Sequence, residues 1–264
     1  MKNNNKFRLD VWGAITLGTI ALYALFLLYP MAYLIRQSVL DPDTGGFTLA
    51  YFTKFFSKSY YFDTLINSFK VSITATVLSI AIGTPLAYLF TIFKIKGKSV
   101  LNILIVVASM SAPFIGAYSW ILLLGRSGVI TAFFKNLGIA IPDIYGFGGI
   151  VLVMTLQLFP LVFLYAKGAL KNIDNSLIEA AENLGCSGIA CFFKVVVPLI
   201  MPTLLAAALL VFMRSFADFG TPMLIGEGYR TFPVVLYTEF INEVGGSDGF
   251  AAAIAAIAIV VTTL

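Results

Sequence analysis

The sequence predicts an all-α integral membrane protein, a six-span helical bundle forming a single transmembrane domain over residues 1–264. Three observations lead there. Hydrophobic residues make up 59% of the chain and charged residues only 11%, whereas soluble globular domains carry roughly 25% charged residues. The apolar residues gather into six runs, each to be matched to the roughly 20 residues a bilayer needs. A tight basic loop, K-I-K-G-K, separates the second run from the third, which is how a cytoplasmic turn between spans reads. Helices rather than strands fill the runs, because an open strand in lipid leaves backbone groups unsatisfied.

In chain order the spans are expected at about 11–35, 64–93, 100–124, 148–166, 195–219 and 249–264. The first follows Lys2, Lys6 and Arg8 and superficially resembles a signal peptide. Its apolar run is too long and no Ala-x-Ala site follows it, so it reads as a span with a basic flank. The second starts near Thr64, with Lys70 snorkelling or facing protein. The fifth carries the charges Arg214 and Asp218. The sixth is short and stops in an apolar run with no polar cap; the expectation is that the chain is one part of a longer one, the first half of a two-half protein. Six of the ten prolines, Pro30, Pro85, Pro113, Pro160, Pro198 and Pro202, fall inside or at the ends of spans. Each frees a carbonyl and bends its helix, which suits a bent, moving bundle.

Loop charges set the orientation. With the N-terminus inside, Lys2, Lys6, Arg8, Lys94, Lys96, Lys98, Lys167, Lys171 and Lys194 are cytoplasmic. Arg36, Lys54, Lys58, Arg126, Lys135 and Arg230 then lie outside, with Asp41, Asp43, Asp63, Asp143, Glu227, Glu239, Glu243 and Asp248. Residues 37–63 are rich in aromatics, which suits an interfacial helix. Residues 125–147 and 220–249 are rich in Gly and Pro and are expected to cap the outer face.

The polar stretch between the fourth and fifth spans, 167–197, holds the most specific signal. Ser176 and Glu179 have the spacing of a capping box. Ala180, Ala181 and Leu184 give a compact face, Gly185 can end the helix in the left-handed conformation, and Ser187 can cap a second one. A polar helix pair between membrane spans reads as a part built to touch another protein. Cys186 and Cys191 fit no zinc spacing and read as small semi-apolar residues.

Several function classes fall away. The chain has no histidine, the commonest general base and metal ligand, so a membrane enzyme is disfavoured. It has no G-x-x-x-x-G-K-[ST] phosphate loop and no row of carboxylates within the spans to couple an ion gradient. Energy for transport must come from outside the chain. Arg214 and Asp218 are four apart, so they can pair on one helical face. Two readings stay open: they line or gate a polar route, or they form a structural pair at a helix end.

Glu179-Ala180-Ala181, three residues, Gly185, nine residues, Val195, one residue, Val197-Pro198 resembles the E-A-A-x3-G-x9-I-x-L-P signature of binding-protein-dependent ABC transporter permeases. It departs only by two apolar swaps, Val195 for Ile and Val197 for Leu. The resemblance implies a MetI-like importer bundle with a cytoplasmic coupling helix. In it Glu179, Ala180, Ala181, Gly185 and Pro198 dock a separate cytosolic ABC ATPase that carries the ATP. The permease itself would have no catalytic site, bound cofactor or metal. It also implies an extracytoplasmic solute-binding protein, a second permease half, a place in the inner membrane amid lipid, and no role for nucleic acid. The segments G-G-F-T-L-A-Y-F, I-Y-G-F-G-G-I-V and F-A-D-F-G-T-P-M-L-I-G resemble the subgroup for ferric iron, whose relatives serve aminoethylphosphonate, thiamine and polyamines. A passive channel has no use for a docking loop.

Overall fold

The computed structural model describes residues 11–41, 44–93, 96–110, 112–139, 141–186, 188–242 and 248–263. Lys2, Lys6, Arg8, Asp43, Lys94, Ser187 and Glu243, all used in the sequence reading, lie outside the described residues, as does the side chain of Asp248. Helices follow one another along the chain: α1 (Val11–Ser38), α2 (Ala50–Ser57), α3 (Ser59–Ile92), α4 (Lys98–Ser109), α5 (Pro113–Leu124) and α6 (Val129–Asn136). Then come α7 (Phe147–Lys171), α8 (Asn175–Asn183), α9 (Gly188–Ala217), α10 (Gly220–Ile225), α11 (Phe232–Asn242) and α12 (Asp248–Thr263). The only β pairing among the described residues is an isolated bridge between Leu40 and Phe47.

Five stretches among the described residues are long and apolar enough to cross a membrane: Val11–Ser38, Ser59–Ile92, Pro113–Asn136, Phe147–Lys171 and Gly188–Ala217. The helices Lys98–Ser109, Phe232–Ile241 and Gly249–Thr263 are apolar but shorter.

The apolar run at 100–124 is two helices rather than one, α4 and α5. The cause is Pro113. Its ring disfavours helical backbone at the preceding residue, and Ala112 is extended, with φ −69° and ψ 142°. Two π-helical turns have a related origin. Ala24–Leu28 lies just before Pro30, and Phe192–Val196 just before Pro198. A proline ring clashes with the carbonyl four residues earlier, and a locally widened turn relieves the clash without ending the helix.

The chain divides into two units, Met1–Ser59 with Thr238–Leu264, and Tyr60–Tyr237. In the first, residues 11–30 of α1 are exposed on every face. Its far end, Tyr29–Ser38, packs on α12, as does α2. Phe55 is fully buried there, and Lys54 Nζ sits 3.9 Å above the Phe250 ring. The alanine-rich start of α12, Ala251 to Ala253, is buried throughout, since small side chains let helix backbones approach closely.

The second unit is organised on α7 and α9, which pack together along their length. One apolar cluster joins Ala87, Phe90, Val162, Phe163, Ala166, Phe192, Val196 and Ile200. Phe90 and Phe163 meet edge to face at 5.2 Å. Gly83 lets α3 lie against α7: a β-carbon there would come 2.9 Å from the Phe159 carbonyl oxygen and from Val162 Cβ. A second cluster joins Val71, Ala75, Ala117, Ile150, Val153, Met154 and Ile225. These two clusters hold the ends of α7 and α9 in place, and the candidate sites sit at those ends.

Candidate functional site: an exposed helix pair and a polar cavity

The loop between α7 and α9 is built from its caps. After α7, Asp174 turns the chain into α8: its Oδ1 accepts the Ser176 N–H at 2.9 Å. That bond holds the Asp174 carboxyl below the usual carboxylate range, because hydrogen bonding to the charged form favours it. The cap is therefore Asp174, and the expected Ser176–Glu179 box is not the one that forms. The helix begins one residue after Asp174, and a carboxylate at that end also meets the positive end of the helix dipole.

At the other end Gly185 has φ +85°, and the Cys186 N–H donates to the Ala181 carbonyl at 3.0 Å. This is the six-to-one bond of a Schellman ending, as the position of Gly185 predicts. The chain resumes at Gly188, with φ +53°, where α9 begins and runs on through the π turn and Pro198.

One side of this pair is anchored. Ile173 and Ile178 pack on the first cluster, Cys191 and Phe192 are buried, and the Phe192 ring meets Tyr88 at a tilt, with centroids 4.6 Å apart. Neither Cys186 nor Cys191 forms a disulfide among the described residues. The other side faces out. Glu179, Ala180 and Gly185 are exposed and Ala181 is half-buried. Pro198 is exposed too, but it belongs to α9 and shapes the approach rather than the tip. The structure adds what the motif did not mark. Leu177, Leu184 and Ile189 are 50%, 89% and 78% exposed. Of the face formed by Ala180, Ala181 and Leu184, Leu184 is far more exposed than the half-buried Ala181. The available signal was apolar side chains at helical spacing on an otherwise polar helix. An exposed apolar strip rimmed by polar residues marks an interaction surface.

Arg214 and Asp218 lie together at the wall of a cavity of about 470 Å³. Ser109, Pro113, Phe114, Gln157, Leu158, Ala217, Phe219 and Gly220 complete it. The break between α4 and α5 supplies one wall, and the end of α9 another. The two charges do not pair. Asp218 Oδ1 accepts the N–H groups of Gly220 at 2.9 Å and Thr221 at 3.3 Å, and Oδ2 accepts the Thr221 hydroxyl at 2.6 Å. Helix α9 ends at Ala217 and Asp218 is extended, with ψ 119°, so the four-residue spacing no longer places both on one helical face. Its carboxylate caps α10 instead. Among the described residues no carboxylate forms an ion pair with Arg214. Gln157 Nε2 is buried and has no hydrogen-bond partner among the described residues.

The glycine- and proline-rich loops at 125–147 and 220–231 are joined by Arg126. It pairs with Asp143 at 3.1 Å and Glu227 at 2.7 Å, and lies 4.7 Å over the Tyr145 ring. Ser68 Oγ accepts the Phe232 N–H at 2.8 Å, and Asn67 donates to the Arg230 carbonyl at 3.1 Å. Among the described residues no group of three or more His, Cys, Asp or Glu side chains gathers to hold a metal.

Comparison with known proteins follows the same lines. The chain is 28% identical over 251 residues to the ferric transport system permease protein FbpB of Actinobacillus pleuropneumoniae, covering 94% of this chain and 35% of that one. It thus spans about a third of that relative's length. It is also 28% identical to the spermidine/putrescine transport system permease protein PotB of Haemophilus influenzae, covering 90% of this chain and 85% of that one. In fold it matches a chain from the crystal structure of a bacterial alginate ABC transporter in complex with an alginate pentasaccharide-bound periplasmic protein. That match has a TM-score of 0.79 at 16% identity, over 96% of this chain and 91% of the other. The family of binding-protein-dependent transport system inner membrane components matches residues 46–264, and the chain belongs to it.

Proposed function

We propose that this permease subunit imports ferric iron, driven by a separate cytosolic ABC ATPase and supplied by an extracytoplasmic solute-binding protein. The observation that carries this reading is the exposed helix pair at 174–191. Glu179, Ala180 and Gly185 stand outward on it beside the apolar Leu177, Leu184 and Ile189. Small alanines permit close approach, Glu179 offers a charge, and Gly185 fixes the angle between the helices. Nucleotide binding closes the ATPase pair, and the docked helices pass the motion to α7 and α9. A second permease half completes the path. The N-terminus is cytoplasmic, on the distribution of Lys and Arg among the loops.

Ferric iron rests on the resemblance of the ferric permeases. A second reading, polyamine import, is favoured by the greater share of the PotB relative that the chain spans, 85%. Aminoethylphosphonate and thiamine are further cargoes of the same machinery. The test is uptake by proteoliposomes holding the permease, its ATPase and its binding protein. ATP-dependent accumulation of labelled ferric iron, and not of putrescine, supports the reading. Accumulation of putrescine alone replaces the cargo, and no ATP-dependent uptake of any of the four solutes overturns the importer itself.

A further inference from the structure

We propose that the cavity at Arg214 is a solute site for an oxyanion, so that the cargo crosses either as a free organic anion or as a ferric ion held in an anionic chelate. This rests on the importer reading and narrows its substrate. The cavity has one cation and one carboxylate, Arg214 and Asp218, but their bonding capacities are unequal. Asp218 spends both oxygens on three donors of its own chain, the Gly220 N–H and the N–H and hydroxyl of Thr221. It serves the structure of the α9–α10 corner. Arg214 has no carboxylate partner among the described residues, and a guanidinium stays charged at any physiological pH while offering five donors and no acceptor. Gln157, on the facing helix α7, lines the same cavity, and its amide nitrogen is buried without an acceptor among the described residues.

What the cavity presents is therefore a guanidinium with no carboxylate partner among the described residues. A planar guanidinium binds carboxylate or phosphonate oxygens in pairs. A bare cation or a diamine finds the reverse of what it needs: a neighbouring positive charge and a carboxylate already engaged. Of the other lining residues, Phe114, Leu158 and Phe219 are apolar and Ser109 is polar; Phe114 and Phe219 meet edge to face at 5.0 Å. A volume of about 470 Å³ fits a small solute.

The experiment uses the reconstituted importer with three probes: 2-aminoethylphosphonate, ferric citrate and putrescine. Each is tested with the natural chain, Arg214→Gln and Arg214→Lys. Uptake of an oxyanion probe is expected to fall at least tenfold in Arg214→Gln and to recover only in part in Arg214→Lys, which keeps the charge but loses the paired donors. Carriage of the phosphonate assigns the free anion; carriage of ferric citrate with citrate co-transported assigns the chelate. Stimulation of ATP hydrolysis by loaded binding protein is read in parallel. Normal stimulation with putrescine as the cargo, or with Arg214→Gln transporting as well as the natural chain, overturns the oxyanion site and leaves the importer standing. No stimulation in any form overturns both.

Discussion

Replacing Gly185 tests whether one backbone angle contributes to the proposed docking of an ATPase. Its φ of +85° is a conformation in which an ordinary L-residue costs about 1–2 kcal/mol. A β-carbon at this position would meet nothing within 4 Å, so in the chain itself the cost is conformational and not steric. At about 1–2 kcal/mol, Gly185→Ala weakens docking by up to about 5- to 30-fold. Gly185→Asn, which tolerates the left-handed region, falls between the two although it is the larger side chain. The assay is binding-protein-stimulated ATP hydrolysis as a function of ATPase subunit concentration, with hydrogen exchange at residues 175–183 to follow the helix ending. Equal impairment by Ala and Asn would refute the conformational argument and place a partner atom against Gly185. No impairment by either would refute a role for the turn altogether.

Other outcomes follow from the same geometry. Asp174 has a depressed pKa because it accepts the Ser176 N–H. The stabilisation it gives α8 is therefore full above the unfolded value of about 3.9 and is lost as pH falls through the lower folded value. Hydrogen exchange at 175–183 reports this as protection that fades only in acid, whereas Asp174→Ala lacks it at neutral pH. Gly83→Leu forces apart α3 and α7, since even a β-carbon sits 2.9 Å from Phe159 O and Val162 Cβ; a loss of about 1–3 kcal/mol should appear as a lower unfolding midpoint in detergent. Phe163 is fully buried and meets Phe90 edge to face, so Phe163→Ala costs about 3–5 kcal/mol and lowers the same midpoint further than most single substitutions.

Much of the fold is legible because hydropathy is a one-dimensional property. The runs that become α3, α7 and α9 are visible as runs, and their apolar character is what packs them. The break at Ala112 is invisible to hydropathy, since residues 100–124 are apolar on both sides of it; the signal lay in Pro113 and its demand on the preceding residue. The Arg214–Asp218 pair was a correct inference for a continuing helix. It failed because Gly220 and Thr221 offer Asp218 three donors within three residues, and a local cap outcompetes a partner that is reachable only if α9 continues. The start of α8 shows the same competition: Ser176 and Asp174 can both cap, and the charged acceptor wins. Gly185 was legible because a glycine after a short polar helix has few other uses. The exposure of Leu184 and Ile189 was not, because burial depends on which neighbours arrive, and α7 and α9 meet the loop on one side only.

The most direct measurement places a single thiol at Leu184, 89% exposed at the tip of the pair, in a chain with Cys186 and Cys191 replaced by alanine. A control carries the thiol at Leu137, which is 59% exposed just after α6. Docking predicts that a short bifunctional reagent links the Leu184→Cys permease to the ATPase subunit in the assembled, ATP-hydrolysing importer and does not link the Leu137→Cys permease. An active importer in which Leu184→Cys gives no adduct, or in which Leu137→Cys gives the adduct instead, would contradict docking through this loop.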